Sequence, residues 1–213
     1  MALAVDTSTT GGNTTTANNL TWAHTCTGSN LILIVGVSNE GNDTTGVTYN
    51  SVALTAGPNI APTSGNGGAK IWYLINPATG ANNIVVSRTG TTGGMSSTAA
   101  SYTGAKQSGQ PDSSNTGSVT PGTQLTISTT VVASNCWLVM WTDTSAAGET
   151  AGTGTTLRQA GSDGSDMWDS NGTVGTGAQS LQINATSGNL VGAIISIAPS
   201  VDTSGKNFFM FMN

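Results

Sequence analysis

The chain has 213 residues, a formal net charge of −5 and only 7% charged residues, against about a quarter in an ordinary globular domain. Thr (36), Ser (24), Asn (19) and Gly (29) make up about half of it. Three Lys and two Arg are too few to neutralise a run of phosphates, which argues against nucleic acid as a partner. Ala, Leu, Glu and Lys do not dominate the composition, which argues against a helical bundle.

In chain order, short apolar runs of period two recur between Gly, Asn, Pro and Asp turns. Strands are expected at 2–6, 20–26, 31–38, 46–49, 52–55, 70–75, 83–88, 97–102, 125–129, 136–142, 181–184 and 190–198. The weakest stretch, 143–180, is read as holding one or two more, around 155–159 and 166–168. Tyr49-Asn50-Ser51 reads as a tight turn, and residues 59–69 and 104–124 read as long loops. Residues 1–199 are expected to form one domain, followed by a C-terminal linker and apolar arm over 200–213.

About a dozen strands predict an all-β, antiparallel two-sheet sandwich, jelly-roll-like. Four of these strands are apolar on both faces. Leu31, Leu33, Val35 and Val37 oppose Ile32 and Ile34, and Leu138 and Met140 oppose Trp137, Val139 and Trp141. A simple sandwich leaves one face of each sheet wet. Two dry faces require a cover, from a long loop of this chain or from a neighbouring subunit.

Sites for chemistry are sparse. The single histidine, His24, alternates with Trp22 and Cys26 on one strand face. No motif supplies it with a nucleophile and an orienting acid, so it reads as a hydrogen-bonded core or boundary residue. Cys26 and Cys136 read as two buried free thiols, with one disulfide as the alternative. Glu40 and Glu149, the only glutamates, fall in apparent loops and do not nominate a carboxylate pair. No catalytic residues, metal site or cofactor are assigned.

The densest acidic cluster is Asp163, Asp166 and Asp169 around Trp168. It admits three readings: a solvated turn with a buried Trp, a calcium loop with oxygen ligands, or a glycan contact with Trp168 stacking on a sugar ring.

The C-terminal segment holds Phe208, Phe209, Met210, Phe211 and Met212, including all three Phe of the chain. Such a cluster must bury, either on its own domain or in another subunit or a host surface. Aromatic and Met anchors are good interface material. The first residues lack a basic, apolar leader pattern, and no apolar run reaches the ~18 residues that span a membrane.

Several segments taken together, Asn30 to Ser38, Val47 to Thr55, Ile71 to Gly80 and Ser101 to Gly104, resemble a broad family of jelly-roll-like domains. That family is common in tailed-phage structural proteins and in some bacterial surface proteins. The resemblance implies a virion component: a capsid decoration or cement protein, or a tail-associated part. It carries no catalytic residues. The expected partners are the major capsid protein or other virion proteins, with a homo-oligomer, a trimer first, and no nucleic acid or membrane. Synthesis in the host cytoplasm without a signal peptide is expected. The alternative is a carbohydrate-binding module or the receptor-binding part of a tail fibre or surface adhesin.

Overall fold

The computed structural model describes residues 1–41, 43–62, 67–146, 148–162 and 164–200. Phe208 to Met212 and Asp163 lie outside the described residues. All regular structure among them is antiparallel β: fifteen strands rather than a dozen.

The first nine strands are β1 (Ala4–Thr14), β2 (Asn19–Cys26), β3 (Ile32–Asn39), β4 (Thr44–Tyr49), β5 (Val52–Ala53), β6 (Thr55–Ile60), β7 (Gly68–Ile75), β8 (Gly80–Arg88) and β9 (Met95–Thr103). They form two sheets, ordered β1-β9-β3-β7-β6 and β2-β8-β4-β5. The first strand lies beside the last and the second beside the last but one. This is the nested Greek-key order of a jelly roll, and it occupies residues 4–103 alone. Asn50 and Ser51, both at positive φ, make the two-residue turn between β4 and β5.

The remaining strands are β10 (Ser113–Val131), β11 (Trp137–Thr144), β12 (Thr150–Ala151), β13 (Thr156–Gln159), β14 (Ser165–Asp169) and β15 (Gly177–Ile197). They build a third sheet, β10-β15-β11-β14-β13, with β12 on the far side of β15. The expected loop at 104–124 is therefore half strand. Residues 113–119 pair with 190–196 of β15, and the expected strands at 181–184 and 190–198 are parts of one.

The dry faces are explained by layering. The sheet holding β3 lies in the middle. Ile32, Ile34, Ile71 and Tyr102 pack against Val139, Trp141, Ala193 and Ile195 of the third sheet. Leu33, Val35, Val37 and Trp72, on the other face, pack against Tyr49, Ile84 and Val86. Gly36 is required at the first contact, where a Cβ would lie 2.2 Å from the Trp141 ring.

The third sheet is dry on its outer face for a different reason. The β10–β15 ribbon breaks at Pro121 and Gly122, where the ladder register shifts. Its far half, residues 124–131 with 177–184, folds back over its own near half. Leu125, Ile127, Val131, Leu181 and Ile183 cover Leu138, Met140, Trp168, Leu190 and Ile194. Ile127 fits because Gly117 and Gly192 have no side chains: a Cβ there would come within 3.1 and 2.8 Å of it. The cover comes from this chain, and it is sheet rather than loop.

The second unit begins and ends at one place. Ala105 bridges Pro199, Lys106 N–H donates to Ala198 O (2.9 Å), and the Gln110 side chain brackets the Ala198 backbone.

Candidate functional site

The acidic segment around Trp168 sits on β14, an inner strand of the third sheet. Trp168 is 1% exposed, packed under the folded ribbon, and its Nε1–H donates to Thr142 Oγ1 at 2.9 Å. Of the three readings of this segment, that of a buried Trp agrees with this burial, and the sugar-stacking alternative for Trp168 is corrected, because its ring has no face open to a ligand. Asp166 and Asp169 are three apart on an extended strand, so they point to opposite faces, about 10 Å apart along it. Asp166 Oδ1 accepts from Gly161 N–H (2.9 Å), and Asp169 faces the central core. These two carboxylates do not converge on a calcium or glycan position. Among the described residues no group of three His, Cys, Asp or Glu is placed to hold a metal.

Asp169 instead carries a structural network that the sequence reading missed. It is 0% exposed and takes a forked pair from Arg158, Nε at 2.6 Å and Nη2 at 2.9 Å. It also accepts from Tyr102 O–H (2.9 Å) and Asn171 N–H (3.0 Å). Bidentate Arg–carboxylate pairing of this kind satisfies the buried carboxylate and the half-buried guanidinium. Burial and the neighbouring Asp169 charge push the Tyr102 phenol well above its usual range. The network ties the middle sheet to the third.

His24 lies between the two jelly-roll sheets, 1% exposed. Its Nδ1 is 2.8 Å from Thr9 Oγ1 and its Nε2 is 3.1 Å from Ser101 Oγ. Ser101 Oγ donates to Asp6 Oδ2 at 2.7 Å. The three residues of a hydrolytic triad are thus present, but in the wrong order. Catalysis needs the imidazole between hydroxyl and carboxylate; here the buried serine lies between them. Burial lowers the His24 pKa to about 4, against the pull of Asp6, so the ring is neutral at pH 7. His24 is a core histidine, as its alternation with Trp22 and Cys26 suggests. Cys26 and Cys136 are both free and buried, in separate cores.

A further polar cluster was not anticipated. Asp143 on β11 accepts from Ser165 O–H (2.8 Å), faces Ser38, and shares a small cavity of about 30 Å³ with Glu40, Ser96 and Asn13. Burial raises its pKa to about 6, with the Glu40 charge adding to the rise. The cavity has the volume of one or two waters.

Two broad sheet faces open to solvent carry no charged side chain. The outer face of the β2-β8-β4-β5 sheet shows Thr21, Ala23, Thr25, Ala81 and Asn83, with a shallow trough between β4 and β8 lined by Thr48, Asn50 and Asn82. The outer face of the folded ribbon shows Thr126, Ser128, Thr130 and Ser180.

Comparison with protein-family models, with curated proteins and with solved structures gives no match to this chain.

Proposed function

We propose that the chain is a structural component of a phage virion, a decoration or cement protein that stabilises the particle through protein–protein contacts. The observation that carries this reading is the contrast between interior and surface. The histidine, both thiols and the forked ion pair are consumed inside the layers. The broad sheet faces left outside present hydroxyls, amides and methyls with almost no charge. Such faces pack against neighbours without stranding a desolvated ion. A jelly roll with a second sheet laid on it is a rigid block suited to that use.

Phe208, Phe209, Met210, Phe211 and Met212 supply the anchor in this reading: a compact apolar group that inserts into the major capsid protein or another virion protein. Assembly at a symmetry axis, with three copies as the first expectation, multiplies the contact.

The test uses particles assembled without this chain. The full chain is expected to co-sediment with them, and the chain lacking residues 208–213 is expected to remain in the supernatant while keeping its β dichroism. Failure of the full chain to bind would refute the virion reading. Equal binding by the shortened chain would refute the anchor.

A further inference from the structure

The β10–β15 ribbon spans nineteen and twenty-one residues and contains no charged residue in either strand. Its far half ends the sheet on the β10 side, because among the described residues β10 pairs with β15 alone. The direction of the free backbone groups follows from β15. Gln182 N–H donates to Thr155 Oγ1 (2.8 Å) and its C=O accepts from Gly152 N–H (2.8 Å), both on the side away from β10. Thr126, directly opposite Gln182, therefore also turns its N–H and C=O away from β15. Ser128 and Thr130 follow by alternation. Ser128 C=O is met on that side by the Asn115 side chain at 2.8 Å, which confirms the direction.

Natural edges are blunted by Lys, Pro, bulges or shortness. Residues 124–131 carry none of these: the proline and the register shift are confined to the bend before them. Side chains alternate regularly, with Leu125, Ile127 and Val131 buried and Thr126, Ser128 and Thr130 exposed.

We propose that this edge is where two copies of the chain join, residues 124–130 of one pairing antiparallel with the same residues of the other. A two-fold axis through Ile127, normal to the sheet, matches Thr126 with Ser128, each exchanging two backbone hydrogen bonds with its partner. The Asn115 contact does not block this, since a carbonyl oxygen has a second lone pair. The same axis keeps the apolar side chains of both copies on one face and the hydroxyls on the other. A second copy suits the edge because it brings no charge to a seam that offers none an ion partner. The contact is isologous and closes as a dimer. It holds whether or not the chain coats a particle.

The test follows the full chain by light scattering and by amide hydrogen exchange. A dimer is expected, with the amides of Thr126, Ser128 and Thr130 protected in concentrated samples and exchanging freely on dilution. Thr126→Pro removes an outward N–H that β15 does not use, and Thr130→Lys adds an edge charge; each is expected to give a monomer with native dichroism. Thr21→Lys, on the far sheet, is expected to leave the dimer intact. A chain that stays monomeric up to about 1 mM, a trimer or open polymer indifferent to both edge variants, or unprotected edge amides in the dimer would overturn the proposal. A trimer with a free edge would leave the assembly reading standing while removing this one.

Discussion

Ile127→Ala probes whether the folded ribbon is a true layer of the structure. Ile127 is 2% exposed and packs over Gly117 and Gly192. The substitution removes three carbons, worth about 0.8 kcal/mol each in transfer free energy. The unfilled space adds about 1–2 kcal/mol, because the glycine backbones beneath cannot collapse into it. The total is about 4 kcal/mol, which for a chain of this size lowers Tm by about 8–16 °C. Urea unfolding followed by tryptophan fluorescence measures it, with the neighbouring Ser128→Ala as an exposed control expected within about 0.5 kcal/mol. A second measurement isolates the contact. Gly117→Ala places a Cβ 3.1 Å from Ile127 Cγ1, and its three nearest neighbours all belong to Ile127. It should destabilise the native chain but be neutral or stabilising beside Ile127→Ala. A loss below about 1 kcal/mol, or additivity in the pair, would show that the ribbon does not fold over the sheet.

Three further outcomes are expected. His24, whose pKa falls to about 4 on folding, stabilises the folded chain above pH 6.5, and that stability is lost as pH falls toward 4. Asp143, raised to about 6, has the opposite sign, since the folded state holds a proton that the unfolded state has released. Each is worth roughly 3 kcal/mol, so urea titrations between pH 4 and 7 should show His24→Asn flattening the acid loss and Asp143→Asn steepening it; parallel curves would contradict both. Asp169→Ala leaves Arg158 without its buried partner and should cost about 3–5 kcal/mol, with the Asp169→Ala/Arg158→Met double variant recovering part of it; an equal or larger loss in the double would argue against a desolvated pair. Burial raises both thiol pKa values, so Cys26 and Cys136 should react with a thiol reagent no faster than the chain unfolds, and rapid native labelling of either would be the contrary result.

Strands with two apolar faces are legible in the sequence, and so is β2, whose alternation marks one buried face. β3, β7 and β11 fall within about two residues of their expected positions because Ile, Leu, Val and Trp mark them directly. β1 runs eight residues past its expected end through Thr, Ser, Gly and Asn, held by its ladder to β9 and by Trp22 packed on Gly11. The near half of β10 was hidden for the same reason. Val119 is its only large apolar residue, and an edge strand needs only one neighbour to pair. The alternation showed that a cover was needed but not that Pro121 and Gly122 let a strand supply it. At the acidic segment a buried Trp168 was among the readings, but the burial of Asp169 was not. A signal was available: in a chain with two Arg, an Arg in a strand-like segment near an Asp-rich one is a candidate for an internal pair.

The bridge between Ala105 and Pro199 has a consequence for synthesis. The jelly roll has all its strands once Thr103 is made, yet Ile32, Ile34, Ile71 and Tyr102 then face no partner sheet. Their cover arrives only when β15, the central strand of the second unit, is complete. At about 5–20 residues per second, the nascent chain carries a bare aliphatic wall for roughly 5–20 s. That interval, more than the finished surface, is when it is most exposed to misassociation with its own kind.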